Sequence, residues 1–223
     1  MKKEGSFSFE KSDKYGISPE FLKNVERSKL TVDDKVNFLL TKGGLKPASE
    51  ITLVIKSWYK GEINEHMNEK DVEETLTIIK ESNLPFQIEE RKVVKEKYYD
   101  MKEPDIEKVY EREQINILVG HSKEDLDFLI EARQTKNDEL LGKAFGFSPT
   151  AIEAFVGKRK KLDINSLPRE IQESDALLFS SPTLSEDNWQ EEVKQGQLYA
   201  DFIKDLNPNI YREVLAIKRN KEK

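Results

Sequence analysis

The stretch that decides the fold is Ile51-Thr52-Leu53-Val54-Ile55-Lys56-Ser57-Trp58. Its β-branched and aromatic residues predict a strand with Ile51, Leu53 and Ile55 on one face and Val54 and Trp58 on the other. Apolar groups on both faces imply a central place in a sheet. Beyond a polar loop, Val72, Leu76 and Ile79 recur at helical spacing between Asn68 and Asn83. Residues 86–94 and 109–121 read as two further strands, the second ending in Ile115-Asn116-Ile117-Leu118-Val119, and the charged residues 100–105 join them as a long hairpin. Ser122, with Asp125 three residues on, has the form of a capping box, and Leu126, Leu129 and Ile130 give the next helix a buried face. The order β-α-β-β-α opens a ferredoxin-like sandwich, a sheet with a helical layer on one face and a last strand beside the first. Residues 176–180 are the segment available for that last strand. The expected fold class is therefore α+β with a ferredoxin-like core.

On the N-terminal side, Ser18-Pro19 places an N-cap before a proline at the first helical position, and Phe21, Leu22 and Val25 mark a short helix. Thr31 opens a second, with Val32, Val36, Leu39 and Leu40 on one face and Gly43-Gly44 at its end. Residues 1–16 combine Gly5, Gly16, serines and lysines without periodicity and read as a loose arm that Phe7, Phe9 and Tyr15 could pin. After the core the pattern is helical throughout. Trp189, Val193, Tyr199, Phe202 and Ile203 fall in one helix and Ile210, Val214, Leu215 and Ile217 in the last, with Asn207-Pro208 between them. The chain thus divides into an arm (1–16), a helical lead-in (17–45), an α+β core (46–136) and a helical C-terminal region (137–223).

Composition narrows the classes of function. A chain of 223 residues can bury a sizeable core, and equal hydrophobic and charged fractions of 36% describe a folded chain with a heavily charged surface. A net charge of −6 and a pI near 5.3 argue against attraction of the whole molecule to nucleic acid or an anionic membrane. The absence of cysteine excludes disulfides, thiolate nucleophiles and Cys-based metal sites. The first ten residues lack the apolar run of a signal peptide, and no run approaches the roughly eighteen residues of a membrane span. A soluble, cytoplasmic protein is expected.

The sharpest local segment runs from Leu140 to Phe155. It reads as a helix stopped by Gly146 at positive φ and a second helix capped by Ser148, with Pro149 at its first position and Ile152 and Phe155 facing inward. Gly142 allows close packing of the two. In a functional reading, the hydroxyls of Ser148 and Thr150 and the amides of Thr150 and Ala151 form an anion cradle at the helix N-terminus. The run from Leu141-Gly142 to Phe155 resembles a segment of uncharacterised prokaryotic proteins whose glycine-rich turn reads Leu-Gly-Tyr-Pro, followed in many members by paired cysteines. Thr150 and Ala151 stand where those cysteines would be, so the resemblance implies a shared corner and no thiol or metal chemistry.

Gly120-His121-Ser122 lies where a strand turns into a helix, a place where α/β proteins hold ligands. His121 could meet a phosphate, helped by the amides of Lys123 and Glu124 and by charge from Lys123 or Arg133. The plainer reading is a polar residue leaving a strand before an ordinary cap. Glu62, Glu65 and His66 resemble an inverted zincin motif but lack its first histidine, which leaves a solvated helix entry. Lys158-Arg159-Lys160-Lys161 is the densest basic run; without interleaved aromatics it reads as a solvated face, not a nucleic-acid site. There is no GxGxxG, Walker lysine, GxSxG or kinase set, and no cofactor is expected. The expected function is that of a non-catalytic binding or interaction protein with a protein or small anionic partner. The alternative is an enzyme or binder acting on a small anionic ligand near His121.

Overall fold

Ser18 and Thr31 each start a helix by accepting a backbone N–H three residues on, from Phe21 at 3.2 Å and from Asp34 at 3.1 Å. The computed structural model describes residues 15–59, 62–100 and 103–220. In it these caps open α1 (Pro19–Arg27) and α2 (Val32–Lys42), and α2 stops at Gly43-Gly44 with Gly44 at φ +72°. Residues 1–14 of the expected arm lie outside the described residues; Tyr15 packs edge-on against Phe202, ring centroids 4.7 Å apart.

The decisive stretch forms the larger part of β1 (Ala48–Tyr59). It pairs antiparallel with β5 (Glu103–Gly120), from Ala48 opposite Gly120 to Trp58 opposite Glu111, with a bulge between Val54 and Lys56. The sheet is completed by β2 (Glu62–Glu65), β3 (Phe86–Ile88) and β4 (Lys92–Asp100), in the order β2-β1-β5-β3, with β4 also on β5. α3 (Glu69–Glu81) links β2 to β3, and α4 (Lys123–Thr135) follows β5 behind the anticipated Ser122–Asp125 capping box. The C-terminal region adds α5 (Asp138–Ala144), α6 (Pro149–Phe155), a 3₁₀ turn (Ile164–Ser166), α7 (Arg169–Gln172), α8 (Asp175–Phe179), α9 (Trp189–Leu206) and α10 (Pro208–Asn220).

The protein is α+β, but the ferredoxin-like expectation fails in two respects. Residues 176–180 do not return to the sheet. They lie in α8 and its end, where Ala176 and Phe179 turn inward at helical spacing and Phe179 stacks on Tyr211 at 5.9 Å. A short apolar run carries no period long enough to separate strand from helix. The place beside β1 is instead taken by β2, a polar strand held by backbone pairing to residues 56–59. Nor do the helices share one face. Val72, Ile78 and Ile79 of α3 join Ile51, Leu53, Ile55, Ile117 and Val119 in the main core, whereas Leu126, Leu129 and Ala132 of α4 pack on Ala48 and Leu118 from the other side. The inner end of β5 is apolar on both faces, so both need cover. The single strand expected over 86–94 is interrupted at Glu89-Glu90-Arg91, where Glu89 reaches Lys92 and Arg91 reaches Glu69 and Glu113.

The main core draws on α1, α2, the sheet, α3, α9 and α10, from Ile17 to Val214. Among the described residues no helix is long and apolar enough to cross a membrane.

Because β2 covers only the far end of β1, residues 49–54 have no neighbouring strand on their outer side among the described residues. Asp34 of α2 serves that edge. Its carboxyl accepts from the Thr31 hydroxyl at 2.7 Å and from the Thr52 backbone amide, and burial pushes its pKa up to about 6 despite these bonds. A raised carboxyl pKa means that the folded state holds a proton that the unfolded chain releases. The stability this lends is fully present below the ordinary value of 3.8 and is lost as pH rises through about 6. Asp34→Asn is therefore expected to raise the melting temperature relative to the unsubstituted protein at pH well above 6, and to lose that advantage below 3.8. Thermal unfolding across the pH range checks this; a difference independent of pH contradicts it.

Candidate functional site

Two stretches remote in sequence meet around a cleft of about 620 Å³: α2 with the linker that runs from it to β1, and the C-terminal region. The linker is short and leaves Gly44 in a left-handed turn, so Leu45, Lys46 and Pro47 cross directly to the first strand. Against it sits the corner between α5 and α6. Gly146 has φ +75°, and a Cβ there would lie 2.6 Å from Cδ of Pro47. A left-handed backbone and a direct approach to the linker thus both require glycine. Ser148 caps α6 as expected, accepting from the Ala151 amide at 3.1 Å, with Pro149 in the first turn.

Helix α9 locks this contact. The Gln195 side-chain amide donates to the Gly146 carbonyl at 3.1 Å and to the Tyr199 hydroxyl at 2.7 Å, and that hydroxyl donates to the Leu45 carbonyl at 3.3 Å. Burial pushes the Tyr199 phenol above its ordinary pKa, so it stays protonated and acts as a donor.

Lys46 is the charged group this arrangement carries inside. It is only 8% exposed; its ammonium donates to Asn37 Oδ1 at 2.8 Å and stands 5.3 Å from the Phe147 ring centroid. Asn37 and Phe147 both line the cleft. Asp33, the other charged residue of the lining, is exposed.

A second cavity of about 230 Å³ adjoins the first and shares Phe147, Ser181 and Pro182 with it. Its walls are Leu141, Gly142, Phe145, Ile152 and Phe155. Gly142 permits the close packing read from sequence, since a Cβ there would lie 2.7 Å from Ile152 Cγ1. Ile152 is buried as expected, but Phe155 is 51% exposed, with Lys161 over its ring at 5.7 Å. Phe155 is the last residue of α6, beyond the surface that covers Ile152, and it becomes part of the cavity rim.

The hydroxyls of Ser148 and Thr150 donate to a carboxyl group of the chain itself. Glu192, in the first turn of α9 and 2% exposed, accepts from Thr150 Oγ1 at 2.6 Å, Ser148 Oγ at 3.3 Å, Ser185 Oγ at 2.7 Å and the Ser185 amide at 2.8 Å. These donors and the helix N-terminus stabilise the buried carboxylate.

The other anticipated residues are distributed elsewhere. His121 is exposed, and its Nδ1 donates to the Thr41 carbonyl at 3.0 Å; its ring lies against Gly44, and its amide donates to the Pro47 carbonyl at 2.7 Å. It braces the linker from the opposite side and is not brought together with Ser148 and Thr150. Ser122 is engaged in its capping box, and Lys123 pairs with Asp127. Arg133 pairs with Glu50 and, at 3.4 Å, with Glu89. Burial opposes ionisation of Glu89, but the bond from Lys92 and the Arg133 charge hold its pKa below the ordinary value. Each of Lys158, Arg159 and Lys160 meets a carboxylate, of Glu139, of Glu153 and Asp187, and of Glu186 respectively. Glu62 and Glu65 face solvent on β2, while His66 Nε2 is 2.8 Å from Ser57 Oγ; among the described residues no group of three or more potential ligands converges on a metal position. Lys46 carried no sequence signal, being one of 37 basic residues in a chain where charge is common. Comparison of the chain with protein-family models, with curated proteins and with solved structures finds no match in any of the three.

The corner is expected to be a structural joint on which the cleft depends. Gly146→Ala should cost about 1 kcal/mol from the left-handed backbone alone, and more from the overlap with Pro47. Ser148→Ala should cost about 0.5–2 kcal/mol through loss of the cap. Thermal unfolding reads both, and unchanged melting in both variants would mean that the corner does not fix the linker.

Proposed function

We propose that the protein is a non-catalytic binding protein whose cleft holds a small anionic ligand against Lys46. The observation that carries this reading is a buried ammonium at the wall of the larger of the two cavities, flanked by Asn37 and an aromatic ring. An anion about 4 Å from that ammonium gains on the order of 4 kcal/mol at a partly buried site, against about 1 kcal/mol in bulk water. The remaining lining, including Val36, Leu40, Leu177 and Val214, offers apolar cover for the body of the ligand. Tyr199, kept protonated by burial, offers no acid or base near neutral pH at the same wall. An enzyme acting at His121 has less behind it, because the ring contacts a backbone carbonyl and a glycine on an exposed surface.

The discriminating measurement is titration calorimetry with benzoate, benzylamine and benzyl alcohol, which share an apolar body and differ in charge. Benzoate is expected to bind and the amine is not, and Lys46→Met should weaken benzoate at least about tenfold, equivalent to about 1.4 kcal/mol. Equal binding of acid and amine, or no effect of Lys46→Met in a protein that still melts cooperatively, would rule the reading out.

A further inference from the structure

The smaller cavity has a chemistry of its own. Leu141 and Phe145 reach it from α5 and its end, Ile152 and Phe155 from α6, and Phe147 from the corner between the two helices. Phe145 and Phe147 stand edge to face, ring centroids 6.4 Å apart. The polar side chains of the lining are Asp138, which is exposed, and Ser181, whose hydroxyl accepts from the Thr183 amide at 3.4 Å. An ordered water needs two to four polar partners, so walls of this kind hold water poorly. Phe155 both lines the chamber and is 51% exposed, which lets the chamber meet solvent at its ring.

Independently of the Lys46 reading, we infer that this chamber is a binding site for a small, neutral aromatic molecule. Its volume of about 230 Å³ lies below the roughly 300–1,000 Å³ of sites that enclose drug-sized ligands and above the roughly 150 Å³ of an apolar cavity that takes up benzene. One ring with a short substituent matches that size. The charge is set by the lining: no basic residue is there to meet a carboxylate, and burying an unpaired charge is costly. An ammonium would find Asp138 alone, and an exposed carboxylate attracts it weakly. Three phenylalanine rings present edges and faces to a fourth, which favours an aromatic ligand over a saturated one of similar size. A partner protein's aromatic side chain would bring backbone amides and carbonyls to a wall with only two polar side chains to receive them, so a free molecule fits better.

The test is a titration of the full chain with toluene, methylcyclohexane, benzylamine and N-acetylphenylalaninamide, followed through the NMR methyl resonances of Leu141 and Ile152. Toluene should give saturable shifts with a Kd of about 1 mM or tighter. Methylcyclohexane should bind at least about threefold more weakly, and benzylamine at least about tenfold. Ala151 lines the chamber and is 1% exposed, so Ala151→Leu should fill it and weaken toluene at least about tenfold. Phe155→Ala removes part of the wall at an exposed position, and a loss of about threefold is expected there even if Ala151→Leu fails to fold. Lys46→Met should leave toluene unchanged. The chamber site is overturned if toluene gives no saturable shift, whatever benzoate does at Lys46, or if neither lining variant weakens it. A loss of tenfold or more in Lys46→Met would move toluene to the larger cleft and overturn the site in the same way. Methylcyclohexane or benzylamine binding as tightly as toluene would overturn the aromatic or the neutral assignment respectively. Tighter binding of N-acetylphenylalaninamide than of toluene would overturn the free ligand in favour of a partner's side chain.

Discussion

The approach of Gly146 to Pro47 is the contact on which the rest of the site depends. It brings a corner of the helical C-terminal region onto the three-residue linker that feeds the first strand, with space for a hydrogen atom and not for a methyl group. Packing at that distance leaves the linker little freedom, and the hydrogen bonds from Gln195 and Tyr199 fix it in the remaining directions. His121 closes the other side through its amide and ring. The position of Lys46 follows from these constraints, since its neighbours on both sides are held by groups from α9 and from the end of β5.

The protein buries several charges, and each is given hydrogen-bonding partners at close range. Lys35 donates to the Glu26 carbonyl at 2.9 Å and lies 3.6 Å from the Glu213 carboxylate. Glu192 collects four donors around one carboxylate. Asp34 is met by a hydroxyl and a strand-edge amide, and its raised pKa shows that these do not fully offset burial. An unpaired buried charge costs several kcal/mol, which is why such groups are seldom left without partners. Lys46 differs in where it stands, since Asn37, which accepts from its ammonium, belongs to the wall of an open cleft.

Sequence reading was most successful where the responsible interaction is local. The caps at Ser18, Thr31, Ser122 and Ser148 are all present, because a cap depends on a side chain and an amide two or three residues away. The positive φ of Gly146 and the break at Asn207-Pro208 are equally short-range. Errors arose where the same residues satisfy two structures. Residues 176–180 are apolar enough for a strand and became α8 because Tyr211 and α9 offered a helical surface to pack on. Glu62-Ile63-Asn64-Glu65 lacks the composition of a strand and became one through backbone pairing to β1.

By itself, then, the chain's sequence determined its α+β class, most helix starts and stops, the strand at 51–58 and the glycine corner, since propensity, capping and backbone sterics act over a few residues. Tertiary structure alone decided that α3 and α4 cover opposite faces of the sheet, that the cradle at Ser148 and Thr150 is filled by Glu192, and that Lys46 is the cation at the cleft. The hydroxyls of Ser148 and Thr150 lie more than forty positions from Glu192 along the chain, and only the folded chain brings them within hydrogen-bonding range of its carboxylate. Lys46 and Tyr199 are farther apart still. Burial of a charge is a property of everything packed around it, and no local pattern encodes which distant helix will supply the cover.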